Sequence, residues 1–312
     1  MRIAVTGADG FVGRRLVPRL LQDGHTVVAA IRPGAASGWQ PPAGVQVMPL
    51  ELSDDASVCG VAVARPDAVV HLAAVASGAD ARRDPGAAWS VNAAGTARLA
   101  EHLAQLRLEG QGDPLLLLVS TAEVYGGAHA TPRVETDPLE PVSPYAASKL
   151  GAEIAGLEAH RRTGLRVVVA RPFPHSGPGQ DQRFVLPAFA QRLALAKHAR
   201  APVVKVGNID VVREFLHVAD VVEAYVALLS HGRSGAVYNV ASGEGVILAD
   251  VFARLAELSG HRAVPEPDPA LMRRGDIPHL VGDATRLRAE TGWQPRIRLE
   301  QLLREVVDAQ AH

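Results

Sequence analysis

Two side chains near the middle of the sequence have the types and the spacing of a proton-transfer pair. Tyr145 and Lys149 lie four residues apart in the run VSPYAASK, so on a helix they share one face, one turn from each other. A free phenol has a pKa of about 10 and is a poor acid or base at neutral pH. Because an ammonium group one turn away favours the phenolate, we predict that Lys149 lowers the pKa of Tyr145. Chance pairs of this kind also occur on surface helices, so the assignment depends on the rest of the chain.

A long helix is predicted to carry this pair. Pro144 suits the first turn of a helix, and Ser143 just before it can cap that turn. Apolar residues then recur at helical spacing, which predicts a helix over Tyr145–Arg161 with one apolar face. The residues of that face are Leu150, Ile154 and Leu157.

A glycine loop near the amino terminus has the context of a dinucleotide site. It lies between a predicted strand, Ile3–Thr6, and a predicted helix, Arg14–Gln22, and helix amino termini attract phosphate groups. The glycine spacing is Gly-x-x-Gly-x-x-Gly rather than the commoner Gly-x-Gly-x-x-Gly. A tight turn without a ligand is the alternative, but the flanking strand and helix favour a cofactor. The residues expected to line the site are Gly7, Asp9, Gly10, Phe11, Val12 and Gly13.

The residue after the second predicted strand bears on the choice of cofactor. That strand covers Thr26–Ile31 and ends at Arg32, where NAD sites usually place Asp or Glu. Since a guanidinium suits a ribose 2′-phosphate, we predict NADP(H) in preference to NAD(H). NAD(H) stays the alternative, because Arg32 could be a solvated loop residue and the carboxylate of Asp9 would oppose a phosphate.

Further apolar runs predict the rest of a parallel sheet, namely Val45–Leu50, Ala68–Ala74, Leu115–Ser120 and Val167–Ala170. His71, inside the fourth strand, is expected to be packed or hydrogen-bonded rather than catalytic. At the carboxyl end of the fifth strand, where ligands bind in open α/β sheets, the hydroxyl of Thr121 could donate to a substrate oxygen beside Tyr145. Further cofactor contacts are expected at Glu51, Leu52, Leu72, Ala73, Ala74, Asn92 and Pro172, besides Tyr145 and Lys149.

Composition excludes several classes of function. The 312 residues are 47% apolar and 4% aromatic, which is typical of buried parallel strands covered by helices. With a net charge of −1 and no basic run, we expect neither nucleic acid nor a membrane surface as partner. Cys59 is the only cysteine and the 12 histidines are scattered, so no disulfide and no metal site is expected. Because neither a signal-peptide pattern nor a membrane-spanning run is found, we expect a cytoplasmic protein.

Taken together, these motifs resemble the extended short-chain dehydrogenase/reductase family, the NAD-dependent epimerases and dehydratases. The resemblance implies that Thr121, Tyr145 and Lys149 form a catalytic triad, in which Tyr145 exchanges a proton with the sugar oxygen and Lys149 holds the nicotinamide ribose. Thr121 would orient the substrate oxygen. The motifs that carry the resemblance over essentially the whole chain are Thr6-Gly7-x-x-Gly10-Phe11-x-Gly13, His71-Leu72-Ala73-Ala74, Asn92 with Gly95-Thr96, Thr121 with Tyr125-Gly126, and Tyr145-x-x-x-Lys149.

The fold implied is a doubly wound parallel sheet, of the Rossmann type, with a smaller interleaved α/β lobe for the substrate. We expect residues 1–170 plus about 208–231 to form the NAD(P)-binding domain. Residues of about 171–207 plus 232–312 would form the lobe. The helix over Tyr145–Arg161 would pair with Asn92–Leu106 of a second subunit in a four-helix dimer interface, with ordinary core packing as the alternative.

The second half of the chain looks like the nucleotide-sugar branch of that family, and most like GDP-4-dehydro-6-deoxy-D-mannose reductases and GDP-mannose 4,6-dehydratases. By this resemblance Arg213 and Arg273 grip the diphosphate of a nucleotide sugar, and Arg274 could replace Arg273; surface ion pairs are the alternative. The runs that carry this likeness are 171–180, 206–215, 218–225, 238–243, 271–278 and 291–295.

Two positions depart from the pattern of that branch. Pro174 stands where the family usually has a substrate-contacting Asn, which leaves the nucleotide base open. Glu123 matches the base of the dehydratases and occurs in the reductases too, but its neighbour Ala122 can neither donate nor accept a proton. We therefore predict an NAD(P)H-dependent reductase of a nucleotide-activated 4-keto-6-deoxyhexose, with Thr121, Ala122, Glu123, Pro174, Arg213 and Arg273 at the substrate and Glu123 among the catalytic residues. A 4,6-dehydratase or 4-epimerase with internal redox, and a non-catalytic cofactor sensor, are the alternatives.

Overall fold

The computed structural model describes residues 1–34, 38–127, 129–272 and 275–310. Its strands are β1 (Arg2–Thr6), β2 (Thr26–Ile31), β3 (Gln46–Pro49), β4 (Ala68–His71), β5 (Leu115–Val119), β6 (Arg166–Pro172), β7 (His175–Ser176), β8 (Val203–Val206), β9 (Val212–Arg213), β10 (Leu216–His217), β11 (Val237–Val240), β12 (Val246–Ile247), β13 (Val264–Pro267) and β14 (His279–Leu280). Within the described ranges, no helix combines the length and the apolar composition needed to cross a bilayer.

The α-helices follow the same order along the chain. They are α1 (Gly13–Gln22), α2 (Asp55–Val63), α3 (Gly78–Arg83), α4 (Pro85–Trp89), α5 (Gly95–Leu108), α6 (Pro144–Thr163), α7 (Val185–Ala199), α8 (Val218–His231), α9 (Leu248–Leu258), α10 (Thr285–Thr291) and α11 (Leu299–Asp308). A π-helical turn covers Ser90–Ala94, and 3₁₀ turns cover Ala122–Tyr125 and Pro269–Leu271.

Seven parallel strands form the main sheet in the order β11-β6-β5-β4-β1-β2-β3. The strand order reverses between β1 and β4, which is the place where open α/β sheets bind ligands at the carboxyl ends of their strands. Alternate side chains of β1 enter the two faces of the sheet, Ile3 and Val5 on one side and Ala4 on the other. The expected doubly wound sheet is confirmed.

Helices cover both faces of this sheet because each presents an apolar stripe to it. On one face, α1, α8 and α10 bury residues such as Leu16, Val221 and Leu287. On the other, α2, α5 and α6 bury Val61, Leu103 and similar side chains. The site-bearing helix α6 therefore packs on the sheet at β6 and lies beside the neighbouring α5.

A smaller lobe has its own core between α7, α9 and α11. Phe189 and Phe252 pack edge to face in it, with ring centroids 5.3 Å apart and planes at 87°. Short strand pairs flank these helices, with β8 next to β13 and β9 between β12 and β14. The lobe matches the expected interleaved α/β unit.

The segment after residue 232 differs from the expectation at two points. The helix α10, which the sequence reading assigns to the lobe, buries Leu287 in the main core. Val237–Val240, which the sequence reading assigns to the lobe, is the edge strand β11 of the main sheet and pairs in register with Val169–Pro172. The reason is that Tyr238 and Val240 are buried in the main core. The outer edge of β11 is covered by side chains, because Arg286 donates to the carbonyl of Val237. The other domain boundaries stay a prediction.

Candidate active site

Helix α6 presents the predicted proton-transfer pair at the carboxyl edge of the sheet. Its first turn contains Pro144, and the hydroxyl of Ser143 accepts a hydrogen bond from the amide of Ala146 at 3.1 Å, as the sequence predicts. The helix ends at Thr163 and is capped by Gly164 in the left-handed conformation. Lys149 follows Tyr145 by one turn on the same face.

The predicted lowering of the Tyr145 pKa is wrong for this structure. Burial raises the pKa of the phenol, the negative charge of Glu123 raises it further, and a hydrogen bond with the side chain of Thr121 lowers it only in part. The spacing of residues along a helix predicts which charged side chain is a neighbour of the phenol. It does not predict how deeply the phenol is buried, and burial has the largest effect on this pKa. The phenol therefore carries its proton at neutral pH, which is the form that a proton donor needs.

Lys149 is the buried cation of the site, with only 4% of its surface exposed. Burial lowers the pKa of its ammonium group to about 8, while the carboxylate of Glu153 opposes that shift. The charged and neutral forms of this lysine are thus both accessible near physiological pH.

Thr121 is placed by the end of β5, directly after Ser120. It begins the 3₁₀ turn Ala122–Tyr125, and its hydroxyl oxygen accepts from the amide of Glu123 at 3.2 Å. The hydroxyl of Ser143 donates to the carboxylate of Glu123 at 3.4 Å, which brings this turn against the start of α6. The side chains of Thr121, Glu123 and Tyr145 therefore lie next to one another, and the side chain of Ala122 is buried beside them.

The glycine loop forms a narrow cradle between β1 and α1. Gly7 has φ +67°, and a Cβ on it would lie 2.9 Å from the backbone nitrogen of Ala73. A Cβ on Gly13 would lie 2.5 Å from the carbonyl oxygen of Gly7. Val12 supplies no side-chain cap to α1, and the amides of Arg14 and Arg15 donate to the carbonyls of Gly10 and Val12, which holds the loop against the first turn of the helix. These residues fit a dinucleotide pyrophosphate.

A chain of buried hydrogen bonds fixes the loop after β4 against this cradle. Thr6 accepts from the amide of Ala73 at 3.1 Å and faces Nδ1 of His71 at 2.8 Å. Nε2 of His71 faces the hydroxyl of Thr96 at 3.1 Å, and that hydroxyl donates to the carbonyl of Asn92. Thr96 must then accept from Nε2–H, so Nδ1 accepts from Thr6. Burial lowers the pKa of His71 to about 3, so this histidine is neutral and structural, as expected.

Asn92 lies in the π-helical turn between α4 and α5, whereas the sequence predicts that Asn92 belongs to the helix that continues to Leu106. Its side-chain nitrogen donates to the carbonyl of Val75 at 3.2 Å and to the hydroxyl of Ser148 at 2.9 Å. Its side-chain oxygen accepts from the amide of Val75 at 2.8 Å. Asn92 thereby joins the loop after β4 to α6; its predicted contact with the cofactor stays a prediction.

Three of the predicted cofactor residues, Arg32, Glu51 and Leu52, lie shortly after β2 and β3 in the chain. Arg32 is exposed directly after β2, and its positive charge is among the causes that lower the pKa of Glu51, after two hydrogen bonds from Ser53. Leu52 is buried against Gly95 of α5. Asp9 is partly exposed in the glycine loop, and its carbonyl accepts from Arg14 at 2.7 Å.

The end of β6 brings two prolines to the site. Pro172 is buried and pairs in register with Val240. Two further predicted cofactor residues, Leu72 and Ala74, are partly buried in the loop after β4. Pro174 follows, and its carbonyl accepts from the amide of Leu216 at 2.9 Å. As the sequence indicates, Pro174 brings no side-chain donor to this position.

The predicted diphosphate-binding arginines are placed only in part. Arg213 ends β9, is half-buried, and pairs with the carboxylate of Asp276 at 2.8 Å. The preceding Gly275 packs close to the carbonyl of Val142, so this loop lies near the start of α6. Arg273 and Arg274 lie outside the described residues. Sequence reasoning missed Asp276 as the partner of Arg213, since nothing in local spacing links residues so far apart in the chain.

A second feature that sequence reasoning missed is a buried ion pair, one helical turn after Lys149 on α6. Arg171 donates to Glu153 at 2.7 Å, and both side chains are almost fully buried. Arg171 also donates to the hydroxyl of Tyr125 at 3.0 Å, and Tyr125 donates to Asn239 at 2.6 Å. One signal in the sequence points to it, because Glu153 follows Lys149 by four residues and so lies on the same face of α6.

Comparison with known proteins places these features in a wider group. The model of the NAD dependent epimerase/dehydratase family matches residues 3–241. GDP-6-deoxy-D-mannose reductase of Pseudomonas aeruginosa is 37% identical, over 98% of this chain and 96% of that protein. The structure of RMD from Pseudomonas aeruginosa complexed with NADPH matches with a TM-score of 0.82 and 35% identity, over 99% of this chain and 98% of that one. A Thermus thermophilus UDP-glucose 4-epimerase complex with NAD gives a TM-score of 0.87 at 31% identity, over 100% and 99%.

Proposed function

Because this chain belongs to the NAD-dependent epimerase/dehydratase family, the extended short-chain dehydrogenase/reductases, we propose that it reduces a nucleotide-activated 4-keto-6-deoxyhexose. The observation that carries the proposal is the group formed by Thr121, Tyr145 and Lys149. A hydrogen bond joins the first two, and the buried ammonium of the third lies one helical turn away. A protein that only senses a cofactor would have no use for such a proton donor.

The cofactor is a nicotinamide dinucleotide held by the glycine cradle. Gly7 and Gly13 let the loop pack closely, because a Cβ on either residue would meet backbone, and the positive dipole end of α1 behind the loop suits a pyrophosphate. Arg32 favours NADPH over NADH, since its exposed guanidinium can bind a 2′-phosphate. RMD of Pseudomonas aeruginosa, a similar structure, is complexed with NADPH.

Three residues of the chain have separate roles in the reduction of the ketone. When bound, the reduced nicotinamide supplies the hydride equivalent. Tyr145, whose phenol is protonated, donates its proton to the oxygen of the C4 carbonyl as negative charge develops there. Thr121 orients that oxygen by a hydrogen bond, and Lys149 stabilises the phenolate left after transfer.

The residues beside Tyr145 favour reduction over dehydration. Dehydration at C5 and C6 needs an acid and a base on the substrate, and the position next to Glu123 is the methyl group of Ala122. Glu123 accepts a hydrogen bond from Ser143 and raises the pKa of Tyr145, so in a reductase it helps to keep the proton on the phenol. This is the role we propose for Glu123 here.

The substrate is a nucleoside diphosphate sugar, and GDP is the nucleotide that we propose. The similar Pseudomonas aeruginosa enzyme is named for GDP-6-deoxy-D-mannose. Arg213 offers a planar guanidinium to the diphosphate, and Asp276 fixes its orientation. Arg273 is proposed as the second arginine of this grip. Pro174 would contact the substrate through its apolar ring alone.

The experiment that tests the proposal measures the stoichiometry of cofactor use. With GDP-4-dehydro-6-deoxy-D-mannose and NADPH, we expect one equivalent of NADPH to be oxidised for each ketosugar reduced. The dTDP and UDP ketosugars serve as matched controls for the base. Conversion of GDP-mannose or UDP-glucose without added reductant would instead identify an internal-redox dehydratase or epimerase and overturn the proposal.

A homodimer through a four-helix bundle is the assembly that we propose. The outer surface of α4, the π turn and α6 is an apolar cleft that includes Trp89, Pro141, Ala147 and Leu150. Ile154 on this surface is 60% exposed and Trp89 is 46% exposed. An apolar patch of this kind on a surface helix pair favours burial against a second copy.

A further inference from the structure

The buried carboxylate of Glu153 bonds to residues at the ends of two strands of the main sheet. It lies on α6, one turn after Lys149 and two turns after Tyr145, and only 2% of its surface is exposed. It accepts a hydrogen bond from the hydroxyl of Ser120. It also accepts from Nη2 of Arg171 at 2.7 Å and from Nε at 3.0 Å.

Both hydrogen-bond partners of Glu153 directly precede a residue of the site in the sequence. Ser120 directly precedes Thr121 at the end of β5, and Arg171 directly precedes Pro172 at the end of β6. One buried carboxylate therefore joins α6 to the carboxyl ends of two strands. Displacing it would move the hydroxyl of Thr121 relative to that of Tyr145.

Glu153 also compensates buried positive charge. Lys149 and Arg171 are both cations that are almost fully buried, and an unpaired buried cation is strongly disfavoured. Glu153 is the anion that opposes the effect of burial on Lys149, besides pairing with Arg171. Without its charge, two buried cations would share the interior of the site.

The other titratable groups near Lys149 and Tyr145 do not replace it. His71 on β4 is neutral, and the charge of Glu123 on the 3₁₀ turn raises the pKa of Tyr145. Tyr225 on α8 stays protonated and uncharged, because burial raises its pKa. Tyr125, whose pKa burial raises to about 12, is neutral as well.

We propose that Glu153 is a positioning residue of this site, whose carboxylate supplies the counter-charge to Lys149 and ties the ends of β5 and β6 together. The inference rests on the proposed function for its consequence in turnover. Its electrostatic part concerns Lys149 alone and can be measured without substrate.

The sequence offers an unusually clean measurement, because the chain contains only three lysines, Lys149, Lys197 and Lys205. Protein labelled with ¹³C at the lysine ε-carbon then gives three signals whose shifts report protonation. Lys197 and Lys205 are exposed and serve as internal standards, and Lys149→Met assigns the third signal. We expect Lys149 of the wild-type protein to titrate with a pKa of about 8.

In Glu153→Gln, which keeps the size of the side chain but replaces one acceptor oxygen with an amide donor, Lys149 should titrate lower by about one pH unit or more. Glu158→Gln is the matched control, since Glu158 lies on the same helix but is exposed and paired with Arg162. That control should leave all three titrations unchanged. Glu153→Asp retains the charge and should restore most of the shift.

An unchanged Lys149 titration in Glu153→Gln would overturn the inference. If that variant does not fold, the double variant Glu153→Gln/Arg171→Gln removes the unpaired arginine as well. A smaller downward shift of the Lys149 titration is expected there, because the lost positive charge of Arg171 partly offsets the lost negative charge of Glu153. In the reductase assay, the alkaline limb of the kcat profile of Glu153→Gln should move to lower pH by the same amount. A shifted lysine titration in a protein that reduces no ketosugar would refute the proposed function and leave the role of Glu153 standing.

Discussion

Replacing Gly7 by alanine should separate two demands that the glycine loop makes on its first residue. Gly7 has φ +67°, and Gly24, in the turn after α1, has φ +77°, so an alanine at either position adopts the left-handed conformation. That conformation costs about 1–2 kcal/mol, of which the stiffer unfolded chain offsets about 0.4–1 kcal/mol. Gly24→Ala is the matched control, because nothing lies within 4 Å of the Cβ it would gain.

At Gly7 the new Cβ also meets backbone. It would lie 2.9 Å from the nitrogen and 3.0 Å from the Cα of Ala73, and 3.2 Å from the carbonyl carbon of Leu72. The loop after β4 cannot yield freely, because the amide of Ala73 is bonded to Thr6. Forced overpacking of this kind costs about 1–3 kcal/mol. We therefore expect Gly7→Ala to lower the free energy of unfolding by about 2–4 kcal/mol, against about 1 kcal/mol for Gly24→Ala.

Urea unfolding of both variants measures the first quantity, and titration calorimetry with NADPH measures the second. Gly7→Ala should weaken NADPH binding at least about tenfold, since the loop that must move lines the pyrophosphate site. Gly24→Ala should bind NADPH as the wild type does. Equal stability losses and equal affinities in the two variants would refute the reasoning that places the cofactor against Gly7.

Three further predictions concern the cofactor, the assembly and the response to pH. Arg32→Ala should raise the Kd for NADPH about tenfold and leave that for NADH unchanged, as calorimetry would show; equal losses would argue against a 2′-phosphate contact. Ile154→Glu should convert a dimer to a monomer in analytical ultracentrifugation, while the equally exposed Leu195 on α7 provides a control, Leu195→Glu, that stays dimeric. Burial raises the pKa of Glu214 to about 7, so the folded protein retains a proton that the unfolded chain releases near pH 4.5. The free energy of unfolding should then fall as pH rises from about 5 to 7, by up to about 1.4 kcal/mol per pH unit from this group. Glu214→Gln should reduce that slope, and an unchanged slope would contradict the assignment.

Much of the fold follows from local patterns in the sequence. Short apolar runs between helical segments predict the parallel strands, and β2 covers Thr26–Ile31 as expected. Local patterns assign β11 to the wrong unit, because its place depends on pairing with β6, which is about 70 residues earlier in the chain. The π turn at Asn92 also escapes a periodicity argument, since the surrounding residues continue a helical pattern while Asn92 bonds to Val75 and Ser148, which are distant in the chain.

The site shows the same division between local and long-range information. Spacing predicts that Tyr145 and Lys149 share a face of α6, and chain order puts Thr121 at the end of β5. Charge and burial are properties of the assembled core, which is why the pKa of Tyr145 is raised where sequence reasoning expects it to be lowered. The partner of Glu153 comes from β6, so the ion pair with Arg171 requires the tertiary fold.

The central claim is that the phenol of Tyr145 donates the proton, and Tyr145→Phe tests it most directly. Tyr225→Phe is the matched control, because the hydroxyl of Tyr225 is buried near Tyr145 but, unlike that of Tyr145, has no hydrogen-bond partner among the described residues. With NADPH and a nucleotide 4-keto-6-deoxyhexose, we expect Tyr145→Phe to lose about 10²–10⁴ in kcat while its affinity for NADPH is retained, and Tyr225→Phe to keep normal turnover. Turnover of Tyr145→Phe within about twofold of the wild type, with NADPH still bound, would contradict the account.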